Sequence, residues 1–206
     1  MEAMENDNEE YVVLESSGVT KPGIKKSGFW DLVKFAAIAL LVVIPIRTFV
    51  AQPFIVSGSS MVPTFQNGQY LIVDELTYHL HQPKRGDVIV FKYPNDKTKY
   101  FIKRIIGLPG DTVSIYGSKV TIKNGEYPDG LVLDETYVKN KSDNKVEITL
   151  KPDEYYVMGD NRSASSDSRV WGTLPKDLII GRAYLRLFPL NAITVLPGEH
   201  NDYATN

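Results

Sequence analysis

The sequence predicts a mainly β protein, in which a coiled, antiparallel, β-barrel-like domain follows one N-terminal transmembrane helix. Two observations lead to this prediction. Residues 29–51 are almost wholly apolar, and from about residue 52 onward short apolar runs alternate with turn residues, as in antiparallel strands. The first 28 residues are polar, with an acidic start. We therefore expect a polar tail at 1–28, a membrane anchor at 29–51 and a β domain at 52–206.

The composition excludes several classes of function. A chain of 206 residues suffices for one domain with a real core plus an accessory segment. Its formal net charge of -2 gives no reason to expect a nucleic acid as partner. The absence of cysteine excludes disulfides and cysteine-ligated metals.

The apolar segment favours an uncleaved anchor. Every residue between Lys34 and Arg47 is apolar, and because both flanking cations can snorkel, the usable helix reaches roughly 20 residues, or about 30 Å. Trp30 stands where an interfacial aromatic is expected. A buried core helix is one alternative. A cleavable secretory signal is another, but "RTFVAQP" has no A-x-A-like pair, and Pro45 and Arg47 interrupt the run.

The basic residues predict the orientation of this anchor. After Arg47, no lysine or arginine occurs until Lys84. Four lysines lie before the helix or on its first turns: Lys21, Lys25, Lys26 and Lys34. The positive-inside rule then places the N-terminal tail in the cytoplasm and the β domain outside a single-pass cell-membrane anchor. The uncharged stretch from Thr48 to Val73 predicts either a surface against lipid or an apolar peptide, or simply the first strand and its core contacts.

A run of serines between apolar residues, Ser57 to Phe65, raises the possibility of a serine nucleophile. Such a nucleophile needs a base. The chain has three histidines, none of them in a motif such as G-x-S-x-G, so a Ser-His-Asp triad has no positive support: His79, His81 and His200. The His-x-His pair lacks a third ligand, so we expect no metal.

Lys103 is the other candidate base. It falls in a predicted strand from Lys99 to Ile106, on the same side as Phe101 and Ile105. Burial on that apolar face would disfavour the ammonium form and lower the pKa of the amine. The alternative, which periodicity alone favours, is an edge lysine that reaches water.

A polar loop follows a strand at residues 155–175. It carries Asp160/Arg162 and Asp167/Arg169 as charged pairs next to Trp171. The polar side chains of such a loop can simply form hydrogen bonds to the backbone of its own turns. Loops on rigid scaffolds, however, also carry functional groups.

Three stretches in this order, "SGSSMVPT", "GDVIVF" with "FIKRIIGLPGD", and "GDNRSASSDSR", resemble the motifs of bacterial type I signal peptidases. That family consists of membrane-anchored Ser-Lys peptidases that remove signal peptides from exported preproteins. The resemblance spans the anchor to about Leu187, and the short spacer between motifs is similar to that of the smaller Gram-positive-type members. It implies catalysis without a cofactor, and it implies preprotein signal peptides emerging from the secretion machinery and the lipid bilayer as partners.

The resemblance also implies roles for individual residues. Ser60 corresponds to the nucleophile, Lys103 to the general base, and Ser165 to a serine that orients the lysine amine. Supporting ion pairs are implied for Arg104, Asp167 and Arg169, and substrate contacts for Met61 and Pro63. Gly58 occupies a position where some members carry a second oxyanion-hole serine. We expect cleavage after small residues, as in A-x-A.

Two other classes compete with this interpretation. A self-cleaving Ser-Lys repressor would carry a DNA-binding domain in place of the anchor. An anchored scaffold that lost activity is opposed by the presence of both Ser60 and Lys103. Eight strands are expected near the following ranges: Gln69–Asp74, Asp87–Lys92, Lys99–Ile106, Thr112–Tyr116, Lys119–Lys123, Lys145–Leu150, Tyr155–Met158 and Gly181–Leu187.

Overall fold

A computed structural model describes residues 28–49 and 51–200 of the chain. The described residues divide into two compact units, with the boundary between Leu40 and Leu41. The polar tail expected at 1–28 lies outside the described residues, apart from Gly28.

One helix, α1 (Gly28–Phe49), covers most of the predicted anchor. Apolar side chains between Phe29 and Leu41 of this helix are exposed, among them Phe29, Trp30 and Leu41. In the described part of the chain, no helix combines the length and the apolar character required to cross a membrane. The transmembrane assignment of 29–51 therefore stays a prediction.

After α1, most of the regular secondary structure in the described residues consists of antiparallel strands. In chain order these are β1 (Ala51–Ile55), β2 (Tyr70–Asp74), β3 (Val88–Tyr93), β4 (Asp96–Gly107), β5 (Thr112–Gly117), β6 (Lys119–Lys123), β7 (Leu131–Val132), β8 (Asn144–Thr149), β9 (Glu154–Met158), β10 (Leu174–Pro175), β11 (Ile179–Phe188) and β12 (Thr194–Val195). Two four-residue helices interrupt them, α2 (Thr77–Leu80) and α3 (Ser168–Trp171). The mainly β prediction is confirmed.

The strands form two sheets. The larger has eight strands in the order β1-β2-β11-β3-β4-β9-β10, with β12 added beside β11, and the smaller has the order β7-β6-β5-β8. No pairing joins β1 to β10 within the described residues, so the larger sheet stays open where a barrel-like closure was expected. The open edge follows from the short last strand, since β10 offers only two residues, both paired with β9.

All eight strands expected from the sequence are present, within a few residues of their predicted bounds. A β-turn follows β4: Gly110 has φ +84°, and the Asp111 N–H donates to the Leu108 carbonyl at 3.0 Å. Strands β1, β7, β10 and β12 were not predicted from the sequence, because three of them have only two residues and β1 contains a proline.

Strand β4 decides between the two interpretations of Lys103. It pairs with β3 along one side and, from Arg104 onward, with β9 along the other. A strand between two neighbours is not an edge, and residues 103–107 are all buried without any alternation. Lys103 is 4% exposed, so the edge interpretation is wrong.

Three apolar clusters form the core around this strand. One lies under the smaller sheet and includes Val113, Ile122 and Tyr156. A second surrounds Phe91 and Val157, and a third holds the segment between β1 and β2 in place: Val56, Met61, Phe65, Leu71, Val88 and Ala183. The third cluster matters most for function, because it fixes the loop that carries the predicted nucleophile.

Gly181 provides a test of this packing. A Cβ at Gly181 would lie 2.4 Å from the carbonyl oxygen of Asp74, which is backbone and cannot move aside cheaply. Gly181→Ala should therefore lower the free energy of unfolding by about 3 kcal/mol, as overpacked sites do. Gly125→Ala is the matched control, since a Cβ at Gly125 would meet nothing within 4 Å. Urea unfolding of the full chain measures both, and equal stabilities would contradict the packing described.

Candidate active site

The loop between β1 and β2 presents Ser60. Two backbone hydrogen bonds close the loop at its base, from Val56 N–H to the Gln69 carbonyl at 2.9 Å and from Gly68 N–H to the Val56 carbonyl at 2.8 Å. Gly58 has φ +93°, a backbone conformation that favours glycine, and its N–H donates to Asn67 Oδ1 at 2.9 Å. Ser60 is half-buried at the end of this turn.

Ser60 and Lys103 are in hydrogen-bond contact. The distance between Lys103 Nζ and Ser60 Oγ is 2.9 Å, and Nζ also donates to the Ile102 carbonyl at 2.8 Å. The amine lies 5.2 Å from the centre of the Phe101 ring. The two residues are 43 positions apart in sequence and meet because the third apolar cluster holds the serine loop against β4.

Burial lowers the pKa of Lys103 from 10.5 to about 8. Loss of water around the ammonium is the main cause, and the charges of Asp167 and Asp160 act in the opposite direction. At pH 7 a pKa of about 8 leaves about one amine in ten unprotonated, against about one in three thousand at a pKa of 10.5. The structure therefore supplies a lysine amine that can accept a proton near neutral pH.

Gly159, directly after β9, brings the polar loop close to the serine. A Cβ at Gly159 would lie 2.5 Å from the Ser60 carbonyl oxygen and 2.2 Å from Ser165 Oγ, so only glycine fits. The Gly159 N–H donates to Asp167 Oδ2 at 2.9 Å. This close approach lets Asn161, two residues further on, donate its backbone N–H to the Ser60 carbonyl at 3.0 Å.

Asp167 and Arg169 form the ion pair that the sequence predicts. Arg169 Nε and Nη2 donate to Asp167 Oδ1 and Oδ2 at 2.8 and 2.7 Å, and both side chains are almost fully buried. Asp167 is also the N-cap of α3, where it accepts from the Arg169 N–H. The pair thus ties the end of the loop to Gly159 and, through it, to Ser60.

The pairing expected between Asp160 and Arg162 is wrong. Asp160 instead accepts hydrogen bonds from Nε and Nη2 of Arg104 at 2.9 and 2.7 Å. Both side chains are at most 1% exposed. Arg162 pairs with Glu135, with Nη1 donating to Oε2 at 2.9 Å. The error has a simple origin, because closeness in sequence does not decide which partners a folded loop brings within reach.

Three predicted site residues do not make the contacts that their predicted roles require. Ser165 Oγ is buried and makes no hydrogen bond within the described residues, so its expected contact with the lysine amine is not formed. Met61 is 1% exposed and belongs to the core. Neither Met61 nor Pro63 lines the cleft beside the serine.

The cleft beside Ser60 has a volume of about 250 Å³. It is lined by backbone and by mostly small side chains: Ser57, Gly58, Ser59, Ser60, Phe101, Ile102, Lys103, Ala164 and Ser166. A larger cavity of about 600 Å³ lies elsewhere, beside Glu75, His79 and Lys176, and contains none of the predicted site residues.

Comparison with known proteins defines the class, which is a peptidase. The family model described as "Signal peptidase, peptidase S26" matches residues 29–188. The chain belongs to this signal peptidase family.

Two proteins of similar sequence agree with this assignment. The chain is 39% identical to the probable signal peptidase I-1 of a Synechocystis species over 82% of this chain and 93% of that protein. It is 37% identical to signal peptidase I P of Bacillus subtilis subsp. natto, over 82% and 94% of the two chains. A solved signal peptidase I from Enterococcus faecalis V583 is 28% identical, with a TM-score of 0.42 over 50% of this chain and 97% of that one. The resemblance to bacterial type I signal peptidases is confirmed.

The buried amine makes stability depend on pH. The folded-state pKa of Lys103, about 8, is below its unfolded value of 10.5, so between these values the unfolded chain binds more protons and the stability of the wild type rises with pH. The difference corresponds to about 3 kcal/mol. Lys103→Met lacks this contribution, and its stability relative to wild type should fall by about that amount between pH 7 and pH 10.5.

Urea unfolding of both full-length chains at several pH values measures this difference. Lys99→Met is the matched control, since the Lys99 side chain is 65% exposed on the same strand. A constant gap between Lys103→Met and wild type across this range would contradict a buried amine with a lowered pKa.

Proposed function

We propose that the chain is a serine endopeptidase that removes N-terminal signal peptides from secreted preproteins, with Ser60 as nucleophile and Lys103 as general base. The observation that best supports this proposal is the 2.9 Å contact between Ser60 Oγ and the amine of Lys103, a side chain that is 4% exposed. A nucleophile within hydrogen-bond reach of a base whose pKa lies near the working pH meets the requirements for general-base catalysis.

The proposed reaction has two halves. The unprotonated Lys103 amine accepts the Ser60 hydroxyl proton while Oγ attacks the scissile carbonyl carbon. The resulting ammonium gives this proton to the leaving amine of the mature protein as the peptide bond breaks, and an acyl-enzyme remains. A water molecule then attacks the ester, with Lys103 accepting its proton and returning one to Ser60 Oγ, which releases the signal peptide.

The developing oxyanion needs hydrogen-bond donors. Gly58 carries no hydroxyl, and its N–H is already directed at Asn67 Oδ1. We assign one donor to the Ser60 backbone N–H, as in other acyl-transfer sites where the nucleophile's own amide contributes. The hydrogen bonds that hold the Ser59 and Ser60 carbonyls, from the side chain and backbone of Asn161 at 3.1 and 3.0 Å, fix the direction of that peptide.

The size of the cleft supports cleavage after small residues, as in an A-x-A pattern. About 250 Å³ is below the range of pockets that enclose drug-sized ligands, and Ala164 and the serines leave shallow space rather than a deep pocket. An extended signal peptide beside Ile102 and Phe101 would place alternate side chains toward this wall.

The substrate's origin suggests where the enzyme works. We propose a single-pass protein whose N terminus is cytoplasmic and whose β domain acts at the outer membrane face, where preproteins emerge from the secretion machinery. The lysines before α1, the absence of lysine or arginine between Arg47 and Lys84, and the exposed apolar side chains of α1 support this topology. Contact with the lipid bilayer then brings the cleavage site to the enzyme.

Cleavage of a preprotein reporter in detergent tests the proposed dyad. Ser60→Ala and Lys103→Ala should each lower kcat by about 10³-fold, because one removes the nucleophile and the other the base. For the wild type, kcat/KM should rise with pH, reach half its maximum near the pKa of about 8 and level off above it, since only the neutral amine accepts a proton.

Lys99→Ala, which removes an exposed lysine of the same strand, should keep wild-type activity. Wild-type activity in Ser60→Ala, or an unchanged pH profile in Lys103→Ala, would refute the dyad. It would favour an anchored protein with another catalytic group or none.

A further inference from the structure

Residues 134–144, which join β7 to β8, lie outside all three sequence motifs. We call them the clamp segment. From the sequence this stretch is only a spacer between the second and third motifs. In the structure it contacts three arginines that brace the polar loop beside Ser60.

Two of these contacts involve charge. Glu135 pairs with Arg162, and their side chains are only 9% and 5% exposed. Arg162 Nε in turn donates to the Gly159 carbonyl at 3.0 Å. The ring of Tyr137 packs against the guanidinium of Arg104, whose carbon lies 4.0 Å from the ring centre.

Further contacts are hydrogen bonds to neutral side chains of the clamp segment. Arg169 Nη1 donates to Ser142 Oγ and, at 2.9 Å, to Asn144 Oδ1. Asn140 Nδ2 donates to Asn161 Oδ1 at 3.1 Å. The last contact is the shortest route from the clamp segment to the serine, since Asn161 itself bonds to the serine loop.

Asn161 binds the backbone carbonyls of two consecutive residues, Ser59 and Ser60. Its N–H donates to the Ser60 carbonyl at 3.0 Å, and its Nδ2 donates to the Ser59 carbonyl at 3.1 Å. Its Oδ1 accepts from Asn140 and, more weakly at 3.3 Å, from Ser163. Asn140 thus occupies the acceptor end of the Asn161 amide, which leaves the donor end for Ser59.

We propose that Asn140 is a positioning residue for catalysis, which acts through Asn161 to hold the Ser59 and Ser60 carbonyls in place. The proposal rests on Ser60 being the nucleophile. Within the clamp segment, this role belongs to Asn140. By keeping the Asn161 amide in one orientation, the segment directs the peptide that carries the nucleophile and its N–H.

The amide orientation yields a specific expectation. A carboxylate at position 140 only accepts hydrogen bonds, so Asn161 would turn its NH2 group toward it. Asn161 Oδ1 would then face the Ser59 carbonyl, and two acceptors would meet where a hydrogen bond had been. Asn140→Ala removes this side chain, which only weakens the preference of the Asn161 amide for one orientation.

Steady-state cleavage of a preprotein reporter by the full chain tests this. In the pH-independent range, Asn140→Asp should lower kcat by about 10-fold and Asn140→Ala by about 3-fold, with KM within twofold of wild type, since the substrate contacts are unchanged. Thr136→Asp is the matched control: it places one negative charge at an exposed position of the same segment and should keep kcat within twofold. Ser60→Ala should lose about 10³-fold in kcat.

The outcomes separate the two proposals. Wild-type activity in Ser60→Ala defeats the proposed function and this inference with it. The expected loss in Ser60→Ala, together with an Asn140→Asp whose kcat matches that of Thr136→Asp, overturns this inference alone. Equal losses in Asn140→Asp and Asn140→Ala also overturn it, because a merely structural role does not depend on which end of an amide is bound. Rates are measured at temperatures well below each variant's midpoint of thermal unfolding, so that a loss of stability does not change the measured kcat.

Discussion

One lysine amine, buried and held 2.9 Å from a serine hydroxyl, is the feature around which the polar contacts of the site are arranged. In water this amine would be an ammonium and could not accept a proton at neutral pH. Ser60 and the ring of Phe101 lie beside the amine in the folded chain, and Lys103 is 4% exposed. The charges of Asp160 and Asp167 counteract this effect by favouring the ammonium. Each carboxylate is bound by an arginine, Arg104 or Arg169, so that part of its field at the amine is cancelled by the attached cation.

The ion pairs therefore act in two ways, electrostatic and mechanical. Mechanically, they hold a loop that touches the serine peptide at several points. Asp167 accepts the N–H of Gly159, and Gly159 comes so close to the Ser60 carbonyl that no Cβ fits between them. Asn161 then binds the Ser59 and Ser60 carbonyls by two hydrogen bonds. A position defined by that many short contacts leaves Ser60, the proposed nucleophile, little freedom to move away from Lys103, its proposed base.

Much of this structure could be predicted from the sequence, and the predictions failed at identifiable points. The strands were predictable because apolar runs bounded by turn residues are a local pattern that indicates strands. Lys103 was harder, since periodicity alone favoured an edge strand. Its burial depends on residues distant in sequence, such as Ser60, 43 positions away. The partners of Asp160 and Arg162 were out of reach for the same reason, being 56 and 27 positions away. The clamp segment has no motif, so nothing in its sequence pointed to the site.

The pKa of the Lys103 amine is the quantity whose measurement tests the central claim most directly. It can be measured by following the 13Cε and 15Nζ resonances of labelled lysine in the full chain from pH 6 to pH 12, with Lys103→Arg identifying the signal. We expect one lysine that titrates near pH 8, the pKa to which burial lowers this amine. A Lys103 signal that titrates near the ordinary value of 10.5 would contradict the claim, because the amine would then be solvated and fully charged at the pH where the enzyme must work.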